Sequence, residues 1–147
     1  MGCQGEAASG NLWLSCEPTL HSGRRATFET DRITHEPARD PQDLEPFFVS
    51  RQRASDVDGM MALYETDAVV DPGDGRLLRG KEAIRAFFEE VVTSGQKYNH
   101  GEQRPALISG DLALTSMRAP GGSVTSEVAR RQTDGTWLWV IDRFSVT

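Results

Sequence analysis

Gly80-Lys81-Glu82-Ala83-Ile84-Arg85-Ala86-Phe87-Phe88-Glu89-Glu90-Val91-Val92 is the stretch on which the reading of the fold turns. Ile84, Phe87, Phe88, Val91 and Val92 fall at i, i+3, i+4, i+7 and i+8, while Lys81, Glu82, Arg85, Glu89 and Glu90 take the opposite side. That spacing predicts one amphipathic helix, stopped by Thr93-Ser94-Gly95. A helix with a Phe pair on one face needs a partner layer to cover it. The chain beyond it supplies one: four stretches of strand character, about 97–108, 112–119, 123–132 and 136–146, separated by Ser109-Gly110-Asp111, Gly121-Gly122 and Asp134-Gly135. These turn signals predict an antiparallel meander, with Asp134-Gly135 suited to a tight hairpin.

Ahead of the long helix, Asp43 reads as the cap of a helix that tolerates Pro46 in its first turn and places Leu44, Phe47, Phe48 and Gln52 along one face. Ser55 to Asp58 resembles a capping box for a short helix carrying Met60, Met61, Leu63 and Tyr64. Ala68-Val69-Val70 is a short strand ended by an Asp71-Pro72-Gly73 turn, and Arg76 to Arg79 a second extended piece. The order predicts an α+β domain, residues 41–147, in which a curved antiparallel sheet wraps a long helix.

Residues 1–40 carry few aliphatics and no sustained period, which predicts a disordered extension. Leu12-Trp13-Leu14 is too short for a secretory segment, and Glu6 stands where a myristoylation motif wants Ser or Thr. Cys3 and Cys16 make neither a disulfide framework nor a zinc site, and His21 and His35 have no assigned role. At 147 residues, with 37% hydrophobic and 26% charged residues and a net charge of −6, the chain suits one soluble, cytoplasmic domain. An acidic balance of this kind argues against a nucleic-acid binder, and no apolar run is long enough to span a membrane.

Register arithmetic brings acids together. A two-residue turn at Asp134-Gly135 sets Thr133 against Thr136 and, counted outward, Glu127 against Asp142. A two-residue turn at Gly121-Gly122 sets Glu127 also against Ser116, and Arg118 against Thr125, which then faces Phe144. On strict alternation Ser116, Arg118, Glu127, Val140, Asp142 and Phe144 share one face, whereas Val128, Trp137, Trp139 and Ile141 share the other. Facing carboxylates repel unless water screens them, Arg118 bridges them, or one keeps its proton. If this face is covered, the pair suits general acid–base chemistry; if the tryptophan face points inward, both acids are ordinary surface groups. The tryptophan stripe, with Arg130 opposite Trp139, reads as an outer-face subunit interface, with core packing as the alternative.

The blocks Leu63-Tyr64-Glu65-Thr66-Asp67-Ala68-Val69-Val70-Asp71-Pro72 and Arg79-Gly80-Lys81-Glu82-Ala83-Ile84-Arg85-Ala86-Phe87-Phe88, with the closing Asp134-Gly135-Thr136-Trp137-Leu138-Trp139-Val140-Ile141-Asp142, resemble the nuclear transport factor 2-like superfamily, notably its SnoaL-like and ketosteroid-isomerase-like branches. The resemblance implies a cone-shaped, cystatin-like α+β barrel with a pocket between long helix and concave sheet, and homodimers through the outer sheet face. Carried over by position, the isomerase branch's neutral pocket acid falls on Glu127 and its general-base aspartate near Asp71. Its oxyanion-hole tyrosine falls on Phe48, which lacks the hydroxyl, and its supporting tyrosines on Phe88 and Tyr64. An epoxide-hydrolase branch uses two acids with an arginine between them, which Arg118 resembles from the neighbouring strand. Asp71 before Pro72 reads equally well as a turn initiator.

No HExxH, CxxC, phosphate-loop or GxSxG pattern occurs, so nothing in the sequence calls for a metal or another cofactor. The expectation is a pocket for a small apolar organic ligand, lined by Phe48, Tyr64, Phe88, Ser116, Val140 and Phe144. Glu127, Asp142, Asp71 and Arg118 are its candidate catalytic groups. A noncatalytic dimeric binding or accessory domain is the competing expectation.

Overall fold

The structure, a computed structural model, describes residues 34–147, and the packed unit runs from His35 to Thr147. Cys3, Cys16, His21, the 12–14 patch and most of the 1–40 extension lie outside the described residues. Two helices open the unit, α1 (Leu44–Arg53) and α2 (Val57–Met61), followed by β1 (Tyr64–Asp71), β2 (Leu78–Arg79) and the long α3 (Gly80–Thr93). The remainder is β3 (Glu102–Gln103), β4 (Leu107–Ser109), β5 (Leu112–Thr115), β6 (Met117–Arg118), β7 (Ser126–Arg131) and β8 (Trp137–Arg143). Six strands form one curved sheet in the order β2-β1-β8-β7-β5-β4, with β3 and β6 paired beside it. Among the described strands only the β1–β8 contact is parallel.

The caps differ in detail from the sequence reading. Asp40 caps a single 3-10 turn, Pro41–Asp43, by accepting from the Gln42 N–H, and Asp43 reaches back to the Asp40 N–H at 2.9 Å. Asp56, not Ser55, caps α2 by accepting from the Gly59 N–H at 2.8 Å. Residues just before position 40 are already fastened to the unit. His35 Nε2 lies 2.7 Å from Asp56 Oδ2, and the Trp137 N–H donates to the Ala38 carbonyl at 2.8 Å.

Alpha helix α3 buries the face its spacing predicts, with Ile84, Phe87, Phe88 and Val91 inside. Phe88 packs at a tilt 5.5 Å from Phe48 and 5.7 Å from Tyr64, joining α1, α3 and β1 into one aromatic core. A positive φ at Gly80 lets the chain turn from β2 straight into this helix.

Register details at both hairpins and on β8 correct the sequence reading. The turn after β6 holds three residues, because the Ala119 N–H donates to the Ser123 carbonyl. Glu127 therefore pairs with Thr115 rather than Ser116, and Arg118 bridges Val124 rather than Thr125. The Asp134-Gly135 hairpin holds three residues, 133–135, and not two, since the Gln132 N–H donates to the Thr136 carbonyl at 2.7 Å, so Ala129 faces Trp139. Val140 is then an extra residue, a bulge, that brings Val128 opposite Ile141 and Glu127 opposite Asp142. An extra residue reverses the alternation, so Trp137 and Trp139 are buried on the same side as Asp142. The tryptophan stripe is core, and Arg130 faces Leu138 instead of Trp139. The outer face carries a different apolar row: Leu107, Leu114, Val128, Ile141 and Val69 are successive cross-strand partners on five strands.

Phe88→Ala should lower the unfolding free energy by about 3–5 kcal/mol in urea melts, whereas the exposed Lys81→Ala should change it by under about 0.5 kcal/mol. Comparable losses at both positions would mean that the α3 stripe does not anchor the core.

Candidate functional site

Helix α1 aims Glu45, Phe48 and Val49 along one face, at i, i+3 and i+4. Opposite them, β7 and β8 contribute Glu127, Trp139 and Asp142 from their inner positions. Tyr98 and Phe144 close the sides, and the exposed Pro120-Gly121 turn and Asn99 form the rim. Together these residues enclose a half-open cavity of about 290 Å³, small for a ligand site and mostly apolar. Its aromatic wall is continuous: Phe48 lies 5.9 Å from Tyr98 and 5.7 Å from Trp139, and Tyr98 6.0 Å from Phe144.

The loop that carries Tyr98 is fixed by a buried amide. Gln52 is fully buried, donates from Nε2 to the Gln96 carbonyl at 2.6 Å and accepts the Tyr98 N–H at 2.9 Å. Arg53 adds a bond from Nη1 to the Tyr98 carbonyl at 3.0 Å. Gly101 lets the chain pass close to the pocket residue Met117, since a Cβ there would lie 1.9 Å from its Sδ. Backbone without regular strand pairing is held here by side chains, which satisfy groups a sheet ladder would otherwise satisfy.

Glu127 and Asp142 sit directly opposite each other, 6% and 4% exposed. Thr115 donates its hydroxyl to Glu127 Oε2 at 2.7 Å and accepts from Trp139 Nε1–H at 3.4 Å. Tyr64 donates to Asp142 Oδ2 at 2.5 Å. Burial, and then the charge of Glu127, push the Asp142 carboxyl well above the usual range, outweighing the Tyr64 hydrogen bond that favours its anion. Burial also raises Glu127, against the pull of Thr125 and Thr115 and with a further push from Glu45. Tyr64 is raised well above its ordinary value by burial and by Asp142, and Tyr98 is pushed up to about 12 by burial and then by Asp142. Of the two carboxyls, Asp142 is the one that keeps its proton as pH rises, because it is the more deeply buried and faces a neighbouring anion. A neutral acid can donate a hydrogen bond, and its ionised neighbour can take a proton.

The structure brings some expected site residues together and separates others. Glu127, Asp142, Phe48 and Phe144 line the cavity. Tyr64 stands behind Asp142 as its hydrogen-bond donor, and Phe88 lies beneath Phe48 in the core, so neither forms the wall itself. Arg118 is exposed on β6 opposite Glu102, apart from the acids, because the three-residue turn shifts its register. Ser116 falls at the break between β5 and β6, where its carbonyl accepts from the Arg104 N–H, and Val140 is the bulge residue. Asp71 lies outside the cavity. Its Oδ1 accepts from the Gly73 N–H at 3.0 Å and its Oδ2 from Arg143 Nε at 3.1 Å, which is the turn-initiating role.

Glu45 is the acid that the sequence reading passes over. Its side chain is 13% exposed; Oε2 accepts from Gln103 Nε2 at 3.1 Å, and His100 Nδ1 lies 3.8 Å from Oε1. An acid in the first turn of a helix reads as a complement to the helix dipole, which hides a pocket role. Its i, i+3, i+4 relation to Phe48 and Val49 was the available signal. Among the described residues no group of three or more His, Cys, Asp or Glu side chains is placed to hold a metal ion. No described helix is long and apolar enough to cross a membrane.

The SnoaL-like domain family model matches residues 47–147. No curated protein matches the chain. Among solved structures, a nuclear transport factor 2-like protein of unknown function from Pseudomonas putida is 22% identical with a TM-score of 0.57, covering 72% of this chain and 83% of that one. A putative calcium/calmodulin-dependent protein kinase type II association domain from Thiobacillus denitrificans is 18% identical with a TM-score of 0.58, covering 75% and 95%. A ketosteroid isomerase-like protein from Erwinia carotovora is 14% identical with a TM-score of 0.56, covering 69% and 89%. At these identities the likeness is one of fold.

Asp142 binds its proton more tightly folded than unfolded. Its contribution to stability is therefore full below the unfolded value, about 3.9, and is lost as pH rises toward the raised folded value. Asp142→Asn, a mimic of the neutral acid, should flatten this decline. Above the unfolded value it should gain steadily on the parent in urea melts as pH rises toward neutrality. An equal or steeper decline in the variant would contradict the assignment of the proton.

Proposed function

The chain belongs to the SnoaL-like domain family, and on that footing we propose that it holds a small, mostly apolar molecule in the cavity and moves a proton on it with the Glu127–Asp142 pair. The observation that carries this reading is the pair itself: two carboxyls in register, both buried, on the inner wall of an aromatic pocket. Asp142, neutral and steadied by Tyr64, donates a hydrogen bond to an oxygen on which charge develops. Glu127, ionised and held by Thr115, takes the proton from a neighbouring carbon or from a water. Isomerisation, hydrolysis and cyclisation all draw on such a pair. Phe48 offers no hydroxyl to the pocket, so the donation falls to Asp142, the neutral acid among the lining residues. The same pocket without turnover is a binding or accessory domain, and the titration below separates the two.

The outer face supports a homodimer. The row Leu107, Leu114, Val128, Ile141 and Val69 crosses five strands, and all but Val128 and Val69 are exposed large side chains. A continuous apolar row on one sheet face is suited to a self-complementary contact about a two-fold axis. The buried tryptophans have no part in it.

Carboxyl carbon NMR titration should show Asp142 protonated at neutral pH and Glu127 displaced upward from the ordinary glutamate range. Two ordinary titrations would remove the acid–base reading and leave a binding domain. Sedimentation at micromolar concentration should give a dimer, converted to monomer by Ile141→Glu or Leu114→Glu. A 16.2 kDa species alone in the parent protein would dismiss the outer-face contact.

A further inference from the structure

We infer that the pocket selects a small organic amine in its protonated form, carried on an apolar skeleton. The inference rests on the ligand-pocket reading above and names the class of ligand for that site. Three carboxyl side chains line the cavity, Glu45, Glu127 and Asp142. Lys97 is the only cationic residue among those lining it, and its ammonium is turned away to the Arg53 carbonyl and Ser55 Oγ, each at 3.1 Å. Arg53 itself is engaged with the Tyr98 carbonyl and Asn99 Oδ1. The described residues thus give the pocket acids and no facing cation.

Glu45 sharpens the point. Its Oε1 is wholly buried and accepts no hydrogen bond among the described residues, and His100 Nδ1 at 3.8 Å is too distant to donate one. A buried carboxylate oxygen without a donor is costly, and a ligand that brings an N–H donor removes the cost. Glu45 is one of the residues lining the cavity.

The walls are independent of the acids and favour the same ligand. Phe48, Tyr98, Trp139 and Phe144 surround the space, and aromatic faces attract an organic cation. The cation–π contacts within the described residues lie elsewhere, with Arg51 on Phe47, Arg76 on Phe87 and Arg131 on Trp137, so the pocket rings have no cation of their own. A carboxylate ligand would meet like charge in an apolar enclosure. A neutral hydroxyl could donate to Glu45 but would leave its charge unanswered.

The test is calorimetric titration of the full chain at pH 7 with three probes of one shape: cyclohexylammonium, cyclohexanol and cyclohexanecarboxylate. Cyclohexylammonium should bind at least about tenfold more tightly than cyclohexanol, in line with a charge-assisted hydrogen bond, with the carboxylate weakest. Glu45→Gln, which keeps the shape and removes the charge, should bring the amine down to the level of the alcohol, with the melting temperature unchanged or higher. An alcohol bound as tightly as the amine, or a carboxylate bound best, overturns the amine inference and leaves the ligand pocket in place. An amine preference that survives in Glu45→Gln overturns the part given to Glu45. If none of the probes binds a protein shown by NMR to be folded, the pocket reading falls and the inference falls with it.

Discussion

Trp139 and Asp142 are three residues apart on one strand, and plain alternation would send them to opposite faces of the sheet. The bulge at Val140 removes that conflict. It lets β8 bury both indoles in the core and still present a carboxyl to the cavity. Without the extra residue, either two tryptophans would face water or Asp142 would. The aromatic wall, the Trp139–Thr115–Glu127 chain of hydrogen bonds and the facing acids all follow from this one irregularity.

The helix stripe from Ile84 to Val91 was legible because its period is long, strong and uninterrupted, and the family blocks around it carried the fold. The count reached the Glu127–Asp142 pairing because two departures cancel: the hairpin holds three residues, 133–135, and the extra Val140 restores the register beyond it. The same count failed elsewhere: Pro120 joined the glycines in a three-residue turn, and Val140 stepped out of line between the pair and the hairpin. Neither event has a local signature, since a bulge at a valine obeys the packing of the tryptophans on Phe48 and Tyr64 and not the propensity of its own residues.

The site was legible only where it coincides with regular structure. Phe48 and Phe144 could be placed from periodicity and register, whereas Tyr98 sits in a loop that two hydrogen bonds from the buried Gln52 amide position. Arg118 and Asp71 carried the right chemistry on the wrong face. A charge near an acid in sequence-derived register means little when a single residue of slip turns it outward.

Strand β7 divides its labour by parity: Glu127 and Ala129 look toward the cavity while Val128, between them, looks away. Side chains on the two sides can therefore drift independently over evolutionary time, one set adapting to whatever occupies the cavity and the other to whatever covers the back of the sheet. The backbone they share cannot. Any pressure that flattens or tightens the sheet from behind bears on the two strands that hold the carboxyls opposite each other in front.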